Sequence, residues 1–184
     1  MTSLLRLTRD NAQLLVIDVQ ERLLPHISGG TELVDRIVCM LAAAGVLDLP
    51  VTLVEQYTAG LGNTVADVER SAGRATRFEK VTFSACGDRD TLAHLTNPSR
   101  MSVVLVGIET HVCVLKTALD LIGHGLSVFV AADAVGARRD ADHRVALRRM
   151  RDAGATITTV ESAIFEMLDD CRCELFKRIL PIVK

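Results

Sequence analysis

The chain has 184 residues, 49% of them hydrophobic, enough for one well-buried core and too few for two independent ones. A net charge of −2 with 24% charged residues presents no broad electropositive surface for a phosphate backbone, and 3% aromatics with no Trp removes the stacking platforms that single-stranded nucleic acid or sugars use. These values point to a single domain over residues 1–184 that acts on a small molecule, without nucleic acid as a partner.

Leu14 to Val19 (LLVIDV) is a short, almost continuous apolar run of the kind found in a central parallel strand covered on both faces, and its lone charge is Asp18. From Thr31 to Leu47, Leu33, Val34, Ile37, Val38 and Leu41 recur at helical spacing, with Thr31 as the expected N-cap. Val51 to Glu55 reads as a second strand, and Gln56 to Arg77, with glycines among short polar residues, as a long irregular excursion. After Lys80 come a short helix from Asp88 to Leu95 and the strand-like run Met101 to Gly107 (MSVVLVG). A helix from about His111 to Ile122, a strand Ser127 to Ala132, a helix Asp142 to Asp152, a strand Ala155 to Val160 and a helix Glu161 to Leu168 follow. Strand and helix alternate, which predicts a three-layer α/β/α fold: a Rossmann-like parallel sheet with helices on both faces. The apolar tail Leu175 to Val183 needs a cover, for which a second copy of the chain is the expected source.

The five cysteines, Cys39, Cys86, Cys113, Cys171 and Cys173, are odd in number and irregularly spaced, with no recognisable secretory signal, so a reducing, cytoplasmic setting is expected. Arg6 and Arg9 among leucines give the segment Met1 to Asp10 a faint organelle-targeting look, opposed by Asp10. No apolar run approaches the roughly 20 residues that cross a bilayer, so no membrane association is expected.

In parallel sheets the ligand crevice lies beyond the carboxyl ends of the strands. Asp18 and Cys113 both fall at such ends, Cys113 at the start of a helix, where unpaired N–H groups and the macrodipole favour thiolate and can form an oxyanion pocket. Each residue also has an ordinary structural explanation: Cys113 as a small buried hydrophobe, Asp18 as a strand-end turn residue, Lys80 as a solvated charge, Glu109 as a loop acid.

Three segments, Leu14 to Glu21 (LLVIDVQE), Glu79 to Ala85 (EKVTFSA) and Val106 to Val114 (VGIETHVCV), resemble in order and spacing the three motif regions of isochorismatase-like hydrolases. The resemblance extends from about Leu14 to Leu168; Glu55-Gln56-Tyr57 and GIETHVCV look most like the small isochorismatase-domain-containing members. It implies that Asp18 is a general base, Lys80 the cation that positions it, and Cys113 the nucleophile that forms a thioester. It also implies a cis peptide bond between Ile108 and Glu109 that aims the Glu109 N–H, with that of Cys113, at the oxyanion, and it implies homo-oligomerisation. Gln20, Gln56, Tyr57, Phe83 and Thr110 are the expected pocket residues. A pairing of Cys113 with His111 is the weaker assignment, because adjacency in sequence is not the spatial pairing that activates a nucleophile.

Departures from the family pattern narrow the expectation. Nicotinamidases hold a metal with an acid and two histidines after the second strand, whereas Glu55 to Gly62 (EQYTAGLG) has no histidine, so neither metal nor other cofactor is expected. Isochorismate-cleaving members lack the cysteine, so Cys113 implies scission of an amide or carbamoyl C–N bond. Alternatives from other classes are a catalytically silent binding or scaffold protein and a thiol redox sensor.

Overall fold

A computed structural model describes residues 6–184; the first five residues of the candidate targeting segment lie outside them. Six parallel strands form one sheet in the order β3-β2-β1-β4-β5-β6: β1 (Ala12–Ile17), β2 (Val51–Gln56), β3 (Thr76–Lys80), β4 (Ser102–Ile108), β5 (Ser127–Gly136) and β6 (Thr156–Thr158). The helices are α1 (Gly30–Leu47), α2 (Thr58–Leu61), α3 (Ala66–Ala72), α4 (Arg89–Leu95), α5 (Leu115–Gly123), α6 (Asp140–Asp152), α7 (Val160–Glu166) and α8 (Glu174–Val183).

The two cores follow from strand alternation. Leu14 and Val16 of β1 join the cluster beneath α1, α3, α7 and α8, whereas Leu15 and Ile17 join the cluster beneath α4, α5 and α6. All four are fully buried, each worth roughly 1.5–3 kcal/mol of apolar transfer. The α/β/α layering predicted from sequence is the fold found.

Several local expectations change. The excursion from Gln56 to Arg77 contains α2, α3 and the start of β3, an edge strand whose TRFEK sequence lacks apolar alternation because most of it faces solvent. Gly29, in left-handed conformation, precedes α1, and no side chain caps that helix, so Thr31 is not its N-cap. The first strand ends at Ile17, leaving Asp18 just beyond it. The tail Leu175–Val183 is covered within the chain: as α8 it buries Ile179 against the α1 side of the core, and Cys39 Sγ lies 3.4 Å from Ile182 O.

The chain winds outward from β1 through β2 to β3, then restarts at β4 and winds the other way. β1 and β4 are therefore neighbours on either side of the reversal, paired from Ala12↔Ser102 to Ile17↔Gly107. Their carboxyl ends open into the crevice where ligands bind such sheets.

Candidate active site

Gly107 sets the shape of that crevice. Its φ is +118°, and a Cβ there would meet Ile17 O at 2.1 Å, so only glycine lets β4 pass so close to β1. The pairing of β4 with β5 shifts register between Leu105 and Gly107 at the same point. Ile108 and Glu109 follow, joined by a cis peptide bond. The chain then enters a single π-type turn, Thr110–Val114, before α5 begins. Glu109 O accepts from the Val112 and Val114 N–H groups at 3.0 and 3.2 Å, skipping Cys113 between them.

Asp18 leaves β1 with φ +52°, its N–H bound to Val54 O at 3.0 Å. That bend turns its carboxyl under Cys113. Lys80, the last residue of β3, reaches across β2 to place Nζ 2.7 Å from both Asp18 Oδ2 and Gln56 Oε1. Asp18 and Lys80 are buried, and Cys113 is 7% exposed. The structure thus brings together residues from the ends of β1, β3 and β4.

The electrostatics of the three groups follow from burial. Burial raises the Asp18 carboxyl above its ordinary value, with Lys80 and then Cys113 opposing the rise. The Cys113 thiol is pushed up to about 12 by burial and by the Asp18 charge, Lys80 only partly offsetting them. The expectation that the helix terminus would favour a thiolate is therefore corrected: Cys113 lies in the π-type turn before α5, and burial raises its thiol. Burial and the Asp18 charge thus favour the protonated thiol, while Lys80 favours the ionised carboxyl. The thiol is near enough to act on the Asp18 charge, yet buried Asp18 Oδ1 has no hydrogen-bond partner among the described residues. Apart from that thiol, Oδ1 is an open acceptor.

The expected pocket residues divide. Gln20 is buried, and its amide is consumed by Gln56 N and O and by Gly62 O at 2.7–2.9 Å, making it a brace between the β1 and β2 loops. Gln56 holds Lys80 and donates to Val81 O at 2.9 Å. Tyr57 and Phe83 are 54% and 55% exposed, and Val81 near them in sequence is exposed too. A cleft of about 300 Å³ lies alongside, lined by Glu79, Lys80, Val81, Thr82, Gly87 and Asp88. Thr110 is buried, with Oγ1 3.0 Å from His143 Nδ1. Glu109 is no free loop acid: Arg138 Nε donates to its carboxylate at 2.9 Å. Arg138, His143 and Gly107 were not singled out from sequence, where only Gly107, closing an apolar strand, carried a visible signal. Among the described residues no group of three or more His, Cys, Asp or Glu side chains is placed to hold a metal ion.

Residues 12–162 match the Isochorismatase domain family. "Isochorismatase family protein 1B" of Dictyostelium discoideum is 37% identical over 187 residues, covering 99% of this chain and 90% of its own length. "Secreted isochorismatase effector Isc1" of Phytophthora sojae is 40% identical over 190 residues, covering 97% and 87%. Among solved structures, the MAR1 ribonuclease from Caenorhabditis elegans superimposes with a TM-score of 0.92 at 35% identity, covering 97% of this chain and 92% of that one.

Proposed function

Because the chain belongs to the isochorismatase family, which supports a hydrolase role, we propose that it is a metal-independent cysteine hydrolase that cleaves a C–N bond of a small amide or carbamoyl compound through a thioester on Cys113. The observation that carries this reading is the buried Asp18 carboxyl within reach of the Cys113 thiol, its Oδ2 fixed by Lys80 and its Oδ1 without another partner among the described residues.

In the proposed cycle Asp18 Oδ1 takes the thiol proton as sulfur bonds to the substrate carbonyl carbon. The carbonyl π electrons move to oxygen, which accepts hydrogen bonds from the Cys113 and Glu109 N–H groups. Collapse expels the amine, which receives the proton from Asp18, leaving a thioester. Water, deprotonated by Asp18, attacks the thioester; the acid leaves and the thiol regains its proton. Lys80 holds the carboxyl in place throughout and favours its ionised form whenever it must accept a proton. Tyr57 and Phe83 border the substrate's approach, with Gln20, Gln56 and the buried Thr110 behind them. Self-association of the chain is part of the proposal, with the exposed Tyr57, Val81 and Phe83 as candidate contacts. We keep a single domain over residues 1–184 and a cytoplasmic setting as part of the proposal; among the described residues no helix is long and apolar enough to cross a membrane.

The test is a panel of small amides, ureas and carbamoyl compounds assayed by product release, with Cys113→Ala, Asp18→Asn and Lys80→Met as comparisons. Loss of turnover in all three supports the reading. Absence of turnover by the intact chain favours a silent binding protein or redox sensor.

A second reading, RNA cleavage, is favoured by one specific feature besides the name of the nematode relative. Arg139, Arg144, Arg148, Arg149 and Arg151 are exposed along α6 and its lead-in, and none forms an ion pair among the described residues. RNA breakdown surviving in Cys113→Ala but lost when these arginines become Glu would select it over amide hydrolysis.

A further inference from the structure

The turn that carries the nucleophile is held from outside the Asp18, Lys80 and Cys113 cluster. Gly136, at the end of β5, pairs with Ile108, and the chain then runs through Arg138 into α6. From this segment two side chains reach back. Arg138 donates from Nε to Glu109 Oε2 at 2.9 Å and from its own N–H to the same oxygen at 3.4 Å. His143, in the first turn of α6, places Nδ1 3.0 Å from Thr110 Oγ1. Glu109 completes the cis bond and Thr110 opens the turn, so one is tied to the lead-in of α6 and the other to α6 itself before Cys113 is reached. His111, on the turn itself, provides no equivalent anchor, its buried Nδ1 having no hydrogen-bond partner among the described residues.

We infer that His143 is a positioning residue: through the Thr110 hydroxyl it fixes the turn that aims the Cys113 sulfur and N–H at the substrate carbonyl. This rests on the hydrolase reading of Cys113. Thr110 is buried, so its hydroxyl has no water to turn to when the imidazole is removed, and the loss falls on the turn's geometry. Burial lowers the His143 pKa, Asp140 opposing and Arg144 reinforcing, so the ring is neutral near neutral pH and bonds Thr110 through an uncharged Nδ1 in either tautomer. Displacing a reacting group by a fraction of an ångström is costly even when the altered residue never touches substrate.

The experiment follows acrylamide addition to Cys113 near neutral pH by peptide-resolved mass spectrometry on the whole protein, with exposed Cys171 as internal reference. Acrylamide is a small amide whose carbonyl can occupy an oxyanion pocket. His143→Leu and Thr110→Val are each expected to slow Cys113 roughly tenfold relative to Cys171, and the double variant to be no slower than either single one, because both remove the same bond. His143→Asn, whose amide reaches the Nδ1 position, is expected to restore the rate to within about threefold of the wild type. An unchanged or accelerated rate in His143→Leu, additive effects in the double variant, or failure of His143→Asn to rescue would overturn the inference alone. A wild-type Cys113 that does not react while Cys171 does, together with no turnover of the amide panel, overturns the hydrolase reading, and this inference with it.

Discussion

Lys80 Nζ lies 2.7 Å from Asp18 Oδ2 with both side chains sequestered from solvent, although 62 residues separate them in the chain. Neither charge is affordable alone at that depth, and each is stabilised chiefly by the other. Lys80→Met is therefore expected to cost ~3–5 kcal/mol in urea unfolding, because it leaves a buried carboxylate without its cation. Combining it with Asp18→Asn neutralises both sides and should recover much of the loss; equal losses in the single and double variants would mean that the pair does not act as a unit.

The raised thiol gives stability a defined alkaline limit. Cys113 in the folded chain titrates at about 12 against 9.0 for an ordinary thiol, so between those values the unfolded chain releases a proton that the folded chain retains. Stability is then expected to fall as pH rises from 9.0 towards about 12, and more gently in Cys113→Ala. Asp18 acts in the same direction at low pH: with its folded value raised above 3.8, its contribution declines as pH climbs from there. Guanidinium midpoints across pH for wild type and Cys113→Ala would reveal the difference, and parallel curves would contradict it.

Gly107→Ala places a Cβ against Ile17 O at a φ of +118°, and the obstruction is backbone, which cannot step aside. A loss of at least ~3 kcal/mol in thermal or urea unfolding is expected, with turnover reduced in the fraction that folds, because the β1 and β4 ends diverge. A near-neutral alanine at this position would show that β1 and β4 can part without cost.

Dialysis against EDTA is expected to leave turnover of the amide panel unchanged, since the proposed acid, cation and nucleophile are all side chains. Activity lost to the chelator and restored by a divalent cation would require a different chemistry.

Much of the architecture was legible in the sequence because buried parallel strands are written as apolar runs: LLVIDV and MSVVLVG each mark a central strand, and Asp18 stands out against the first. The edge strand β3 was not legible, because a solvent-facing TRFEK lacks the apolar pattern of the centre; its informative residue, Lys80, emerged only from motif resemblance. The tail Leu175–Val183 shows plainly that it needs cover, but not whose; packing of α8 on the α1 side supplies it from within. The state of Cys113 differs from the sequence expectation for a physical reason: a helix start is visible in sequence, whereas desolvation, which raises this thiol, is a property of the folded surroundings. The links from Arg138 and His143 to Glu109 and Thr110 join positions 29 and 33 residues apart across two elements, and no local pattern announces them.

The most direct measurement is rapid acid quenching of a turnover reaction, followed by mass spectrometry of the peptide that contains Cys113. The account predicts a transient mass increase equal to the substrate's acyl group on that peptide, absent in Cys113→Ala together with turnover. Hydrolysis that continues in Cys113→Ala, or turnover by wild type with the acyl group never found on this sulfur, would contradict it.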